Sequence, residues 1–478
     1  MMTKEELIEF INTKERENRI LSKRKTENII YPRKKYNKLK NYVDNFLETN
    51  GEYYNRLIMM PGLRGVGKTT ILYQIFNHLI HEKDIPEENI LFLDVHDLKS
   101  ISDNTIKDVF ETFLEDMHQS TPVTLDKKIF FLVDEAQFDP GWAGYTKLLY
   151  EKSYNIFMII TGSSAIELEV NTDAVRRITR QQIFPCDFNE YLLLKYGINL
   201  SKNNFKDLIL KCDEESIAKA VECEKTIKKE LINIGDDPEI ELKHYLHSKG
   251  LPFSLNLSEM ETHIKTNEII ERIVNTDLDK FTSFKIDGMK ILQIISYIAT
   301  KKPGKTSTNA IAQALELNTK TVTNILDNLE KTQLIFKVTA YGSAGKMLKK
   351  PSQHFFLTPS LKSAQNYLVG RYNLNHEKCY GALAENLVAS SIKLLSDETF
   401  NSVGLFYDAN KKGVDFIVRH LDRIIPIEVG IGKKTKSQLT IAKNKYNADY
   451  AILVSNRTKS IKYENGILYI PLLTFALM

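Results

Sequence analysis

Cysteine is scarce in this chain. The four present in 478 residues, Cys186, Cys212, Cys223 and Cys379, stand without paired spacing, which excludes a disulfide framework and argues against a structural zinc site. Long apolar runs are also missing. None approaches the ~18 residues a bilayer-spanning helix needs, so no membrane partner is expected. The opening MMTKEELIEF is charged and helical and lacks the apolar region of a signal peptide, so a cytoplasmic location is expected. Excess charge of one sign is lacking too. Sixty-five Lys and Arg against 61 Asp and Glu leave a formal +4, and the total announces no polyanionic partner. Local tracts do better, since Lys23 to Lys40 and Lys346 to Lys350 are basic. A chain of this length is too long for one core, and several domains are expected.

The most informative stretch is RLIMMPGLRGVGKTT, residues 56–70. Leu57 to Met60 reads as a short buried strand, and Ile71 to Phe76 opens a helical pattern. Between them stand Gly62, Leu63, Arg64, Gly65, Val66, Gly67, Lys68, Thr69 and Thr70, with the spacing of a phosphate-binding P-loop. Successive backbone N–H groups in such a loop, together with the helix N-terminus, cradle a β-phosphate. Lys68 is then expected to reach the β- and γ-phosphates and the Thr69 hydroxyl to ligate Mg²⁺, so ATP and Mg²⁺ are the expected cofactors.

Strand and helix patterns alternate from there. Residues 89–95, 128–133 and 155–160 read as further strands, with a weaker fifth at 181–185, which predicts a parallel sheet covered by helices and a ligand at the strand C-terminal ends. The third strand ends in Asp134-Glu135. Paired carboxylates are common at strand ends, but here a P-loop lies upstream. Asp134 is assigned to the Mg²⁺ shell and Glu135 to orienting and deprotonating the attacking water. The fourth strand ends in Thr161-Gly162-Ser163-Ser164, where Ser163 or Ser164 offers a hydroxyl to the γ-phosphate; a polar-capped turn is the plainer reading. Arg176, Arg177 and Arg180 precede the fifth strand, and Arg177 is the preferred candidate to stabilise transferring phosphate, in its own subunit or a neighbour.

MPGLRGVGKTT, FFLVDEAQ, IITGSSA and RRITRQQIFPCDFNEYL together resemble the prokaryotic AAA+ ATPases of the additional-strand glutamate group. More narrowly they are similar to a subfamily that carries a winged helix and a C-terminal PD-(D/E)XK nuclease-like domain. The motifs span about residues 56–192. In that family an arginine sits eleven residues before the phenylalanine matching Phe188, which gives Arg177; Arg176 stands where the family usually has glycine. The resemblance implies an N-terminal helical segment over 1–50, an AAA+ core over 51–186, a helical lid over 187–285, a winged helix over 286–360 and the nuclease-like domain over 361–478.

The residues of the later segments are read beside it. RKKYNKLKNYVDNFL places Tyr36, Leu39, Tyr42, Val43 and Phe46 on one helical face, leaving Arg33, Lys34 and Lys35 for solvent or nucleic acid. Residues 286–360 read as three short helices and a hairpin. Lys320, Thr321, Thr323 and Asn324 would face a DNA major groove, and Lys346, Lys349 and Lys350 would lie near phosphates on the wing. DNA is therefore the favoured partner, with a homo-oligomer or a protein partner as alternatives, because winged helices also serve as packing modules. In the last domain Glu385 on a helix, with Asp415 and Glu428 on adjacent strands, match the acidic positions of the nuclease fold and suit a second Mg²⁺. The motif lysine should stand two residues after Glu428. Gly430 is there instead, and the next lysine of the same parity, Lys434, is about 13 Å further along an extended strand. Lys433 or Lys434 would return to the site only if the backbone folded at Gly430 or Gly432.

Overall fold

A computed structural model of the chain describes all residues except 50, 164–175, 201–202, 236, 279–286, 303–306, 372, 374–375, 411 and 432–436, and omits the side chains at 346 and 348. Ser164, Lys433, Lys434 and the Lys346 side chain therefore lie outside the described residues. The chain divides into two compact units, Met1–Phe184 and Pro185–Met478.

The first unit is built on five strands in the order β2-β3-β4-β1-β5: β1 (Leu57–Pro61), β2 (Ile90–Asp94), β3 (Ile129–Asp134), β4 (Ile156–Gly162) and β5 (Thr179–Arg180). All neighbours are parallel. Strands sandwiched between helices bury both faces, so their sequences run apolar without alternation, and β1, β3 and β4 are buried at every position. The fifth strand lies two residues before its expected place, but the edge extends. Gln181 N–H donates to Met59 O at 2.8 Å, Ile183 N–H to Pro61 O at 2.9 Å, and Gly62 bridges Ile183.

Two N-terminal helices, α1 (Lys4–Thr26) and α2 (Lys34–Glu48), belong to this unit. Asn18 on α1 donates to Phe92 O at 3.0 Å. Leu39, Val43 and Phe46 form the buried face of α2, with the Phe46 ring 5.6 Å from that of Phe130 and 5.1 Å from that of Phe157. The Lys128 ammonium collects the carbonyls of Phe46, Leu47 and Thr49 at 2.7–3.0 Å, a cation at the negative end of the α2 dipole.

In the second unit an eight-stranded mixed sheet has the order β12-β13-β11-β10-β9-β8-β6-β7. It contains β6 (Ile335–Ala340), β7 (Gln353–Phe356), β8 (Val403–Tyr407), β9 (Phe416–His420), β10 (Arg423–Gly430), β11 (Ala451–Ser455), β12 (Lys462–Glu464) and β13 (Ile467–Pro471). The expected hairpin is present, with Ile335 opposite Phe356 and Val338 opposite Gln353. It is not a sheet to itself, because Thr339 and Ala340 pair in parallel with Phe406 and Tyr407 of the next segment. One hydrophobic cluster runs from Phe188, Tyr191 and Leu246 through Phe336 and Phe355 to Ile392, Ile427 and Leu468. Helices expected to form a lid thus share a core with the C-terminal sheet.

Two predictions follow from this packing. A Cβ at Gly62 would sit 2.5 Å from Ile183 O and 3.3 Å from Val66 Cγ2, so Gly62→Ala must push the β5 edge away, at a cost of about 1–3 kcal/mol. Denaturant unfolding of the variant should show that loss, and unchanged stability would refute the close approach. Glu15 on α1 is half-buried with Oε1 unpartnered, and burial, then Glu87 and Glu88, push its carboxyl up to about 7. Because the folded-state value is raised, charging Glu15 destabilises the fold progressively from pH 4.5 to 7 and fully above it. Glu15→Gln should therefore raise Tm at pH 8 and have much less effect at pH 5, as read by thermal melts at both.

Candidate functional site

The first loop of the sheet carries the P-loop sequence. β1 ends at Pro61, and helix α3 (Lys68–His81) begins seven residues later. Gly65 and Gly67 have φ of 81° and 88°, a left-handed backbone that residues with a Cβ adopt at a cost. Leu63 and Val66 are buried and leave their backbone to shape the loop. From outside, the Arg33 guanidinium holds it in place: it is 8% exposed and donates to Val66 O and, at 2.9 Å, to Phe184 O. Arg33 is thus neither on a solvated face nor available to nucleic acid. The Lys68 ammonium is buried and folds onto its own loop, donating to Gly62 O at 2.9 Å and Leu63 O at 3.1 Å. Thr70 is half-buried next to Thr69.

The tip of β3 meets this loop. Asp134 is 2% exposed. Thr69 Oγ1 donates to its Oδ2 at 2.5 Å, and the Thr161 hydroxyl at the end of β4 donates to Oδ1. Burial and then the Glu135 charge push this carboxyl up, while the two hydroxyls and Lys68 pull it down. Glu135 takes φ 54°, a conformation uncommon outside glycine and often associated with functional sites. Its carboxylate accepts from Gln137 Nε2 at 2.6 Å and lies 3.5 Å from the Arg64 guanidinium. Gln137 Oε1 in turn accepts from the Ser163 N–H at 3.2 Å. The Ser163 hydroxyl is buried without a hydrogen-bond partner.

Acidity extends along the strand ends. Asp94 is paired in register with Asp134, and burial, then Asp134 and Asp97, push it up to about 7. It caps helix α4 (Val95–Ile101) by accepting from the N–H groups of His96 and Asp97. Asp94, His96 and Asp97 are the one group of three such side chains, among the described residues, whose ligand atoms lie within 4.8 Å of one another. Arg177 is exposed, with Nε 3.6 Å from Glu151.

In the second unit the structure brings Asp415 and Glu428 together, but through the backbone. Asp415 N–H donates to Glu428 Oε2 at 3.2 Å, and Val429 N–H donates to Asp415 Oδ2 at 2.8 Å. The charge of Glu385 acts on Lys362, a buried lysine whose ammonium burial pulls down to about 8 while Glu385 raises it. Gly430 closes β10 opposite Ser455. On the helix Thr319–Lys331, Lys320 and Thr323 are exposed and Thr321 and Asn324 half-buried; Lys349 and Lys350 are exposed.

Sequence reasoning missed Thr161, Gln137 and the Arg64–Glu135 pair. Thr161 was legible in principle, since Val133 lies beside Ile160 in the parallel register and the next residue on each strand is Asp134 and Thr161. The other two depend on side-chain directions that spacing does not give.

With the site described, its relatives can be placed. A family model described as an AAA domain matches residues 54–192. Two models of domains of unknown function, DUF8612 and DUF4143, match 240–369 and 380–475. The uncharacterized protein MJ1637 of Methanocaldococcus jannaschii is 31% identical over 446 residues, covering 93% of this chain and 88% of its own. An uncharacterized protein of Haemophilus influenzae is 25% identical, covering 88% of this chain and 91% of its own. Among solved structures, the Aeropyrum pernix ORC2 protein in ADPNP–ADP complexes aligns at 12% identity and a TM-score of 0.35, over 73% of this chain and 97% of that one. This α/β chain, with its AAA domain and its C-terminal mixed sheet, belongs to the family of MJ1637.

Proposed function

We propose that the protein binds and hydrolyses ATP at the P-loop, and that its nucleotide state controls the second unit. The observation that carries this reading is the meeting of Thr69 and Asp134 at 2.5 Å, which joins the helix after the P-loop to the acidic tip of β3. A threonine hydroxyl and an aspartate carboxylate are the hard oxygen donors Mg²⁺ takes, so Thr69 and Asp134 fit as its ligands. When bound, Mg²⁺ would neutralise charge on the β- and γ-phosphates.

The remaining roles belong to this chain's own groups. The N–H groups of residues 62–70 cradle phosphate, and Lys68 exchanges its two loop carbonyls for phosphate oxygens. Ser163 presents a buried hydroxyl that has no hydrogen-bond partner among the described residues, as a γ-phosphate sensor should. Glu135 takes the proton of the attacking water once released from Gln137 and Arg64. Arg177, exposed on the surface, suits phosphate in a neighbouring subunit better than in its own.

For the output we infer action on nucleic acid, DNA favoured, by a winged helix carrying Lys320, Lys349 and Lys350 and a PD-(D/E)XK-like domain, in the cytoplasm. A second reading makes the C-terminal domain a binding module that does not cut, and the protein a nucleotide-controlled scaffold for a protein partner. It is favoured by Gly430 at the motif lysine position. A third reading, an ATP-gated nuclease with Mg²⁺ on Glu385, Asp415 and Glu428, requires the three carboxylates to draw closer together than the described residues place them.

Nucleotide binding and turnover test the first claim. Lys68→Ala should weaken ATP binding, because the β- and γ-phosphates lose their cation. Glu135→Gln should bind ATP normally and hydrolyse it about 10²-fold slower or worse; turnover at the wild-type rate would overturn the assignment of the base. Duplex DNA should accelerate hydrolysis if DNA is the partner, and an unchanged rate would favour the scaffold. Nicking of supercoiled plasmid that is lost in Asp415→Ala would establish the nuclease.

A further inference from the structure

The second unit holds a cavity of about 430 Å³ that none of these roles uses, a volume within the range of small-molecule sites. Lys228 enters it from the helix Glu214–Leu231, and Glu239 and Lys243 from the helix Pro238–Ser248. Tyr380 comes from the helix Glu377–Glu398, and Thr458 and Lys459 from the turn after β11. Five separate chain segments thus converge on one hollow, counting the C-terminal residues beyond β13.

Its polar groups are arranged for an anion. Tyr380 is only 5% exposed and its hydroxyl has no hydrogen-bond partner. A hydroxyl left in that state costs about 1–3 kcal/mol, a cost that phenylalanine, filling the same space, would not carry. Over the ring of Tyr380, at 5.8 Å, stands the Lys243 ammonium. Lys228 is already engaged, with Glu224 at 3.4 Å and the Lys459 carbonyl at 2.7 Å, so it braces the turn that carries Lys459. Glu224 is itself held by Ile461 N–H and the Thr474 hydroxyl. Lys243 and Lys459 are the other two lysines of the lining. The one carboxyl in the lining, Glu239, is pushed up by burial and by Asp237, while Lys243 and Lys228 pull it down.

We propose that this cavity is a binding site for a small phosphate-bearing molecule, its phosphate received by Lys243, Lys459 and the Tyr380 hydroxyl. A dianionic, tetrahedral group matches two ammonium groups and a hydroxyl better than a carboxylate does, because it offers three acceptor oxygens to donors arriving from different sides. The volume leaves room for a sugar-sized body against Leu473 and the tyrosine ring. The site is independent of the P-loop, and its occupant would be an effector, not the hydrolysed nucleotide.

The test uses the full chain carrying Lys68→Ala, so that the P-loop does not compete, with ribose 5-phosphate as probe and calorimetry as readout. Saturable binding is expected at millimolar concentration or below. Combining Lys243→Ala with Lys459→Ala should weaken it by more than tenfold, and Tyr380→Phe by about ten- to a hundredfold, the value of one hydrogen bond to a charged group. Tyr380→Phe should also melt no lower than its parent when no ligand is present, because it removes an unsatisfied hydroxyl; a merely structural tyrosine would lose stability instead. Absence of saturable binding, equal binding of ribose and ribose 5-phosphate, or affinity indifferent to these substitutions would each overturn the proposal.

Discussion

The first unit depends on one buried carboxylate. Asp134 is reached by a hydroxyl from the helix after the P-loop and by another from the end of β4, so it ties β3, β4 and that helix together at a single side chain. Burial alone would favour its neutral form. The hydroxyls and Lys68 counter that, while Glu135 and the register partner Asp94 add charge of the same sign. The result is a pocket in which negative charge is concentrated and only partly compensated, with a buried ammonium on one side and two threonine hydroxyls between.

That much was readable from spacing. A parallel sheet buried on both faces needs unbroken apolar strands, and 57–60, 89–95, 128–133 and 155–160 have them. The P-loop glycines and the Asp-Glu pair fall at the ends of those strands, so elements and candidate site came together. Less was readable where a role depends on a partner far away in sequence. Arg33 sits in a lysine-rich tract that reads as a charged helix face, yet it is the residue that holds the Val66 carbonyl. Nothing local distinguishes an arginine that bonds a loop 33 residues on from one in solvent.

The same limit explains the second unit. Apolar runs at 334–338 and 354–357 around a Gly/Lys-rich tip announce a hairpin, because hairpin pairing is local and set by the turn. Whether that hairpin stands alone or adds to a larger sheet depends on Thr339 and Ala340 finding Phe406 and Tyr407, a pairing across more than sixty residues with no signal in either segment. The boundary expected at 360 therefore runs between strands of one sheet. Likewise Glu385, Asp415 and Glu428 are correctly spaced acids, but side-chain direction decides what each meets. Two of them brace the backbone of β9 and β10, and the third balances a buried lysine.

The resting arrangement of the P-loop also bears on how binding energy would be used. Lys68 satisfies itself on Gly62 and Leu63, and Glu135 is held by Gln137 and the P-loop residue Arg64. A triphosphate entering the loop must displace the lysine from its carbonyls, and the arginine beside it becomes a second cation within reach of phosphate. Moving Arg64 toward phosphate would release Glu135 on that side, and a γ-phosphate bonded to Ser163 would act on the Ser163–Gln137–Glu135 chain from the other. On the proposed function, both of these contacts of Glu135 would be linked to groups that phosphate engages.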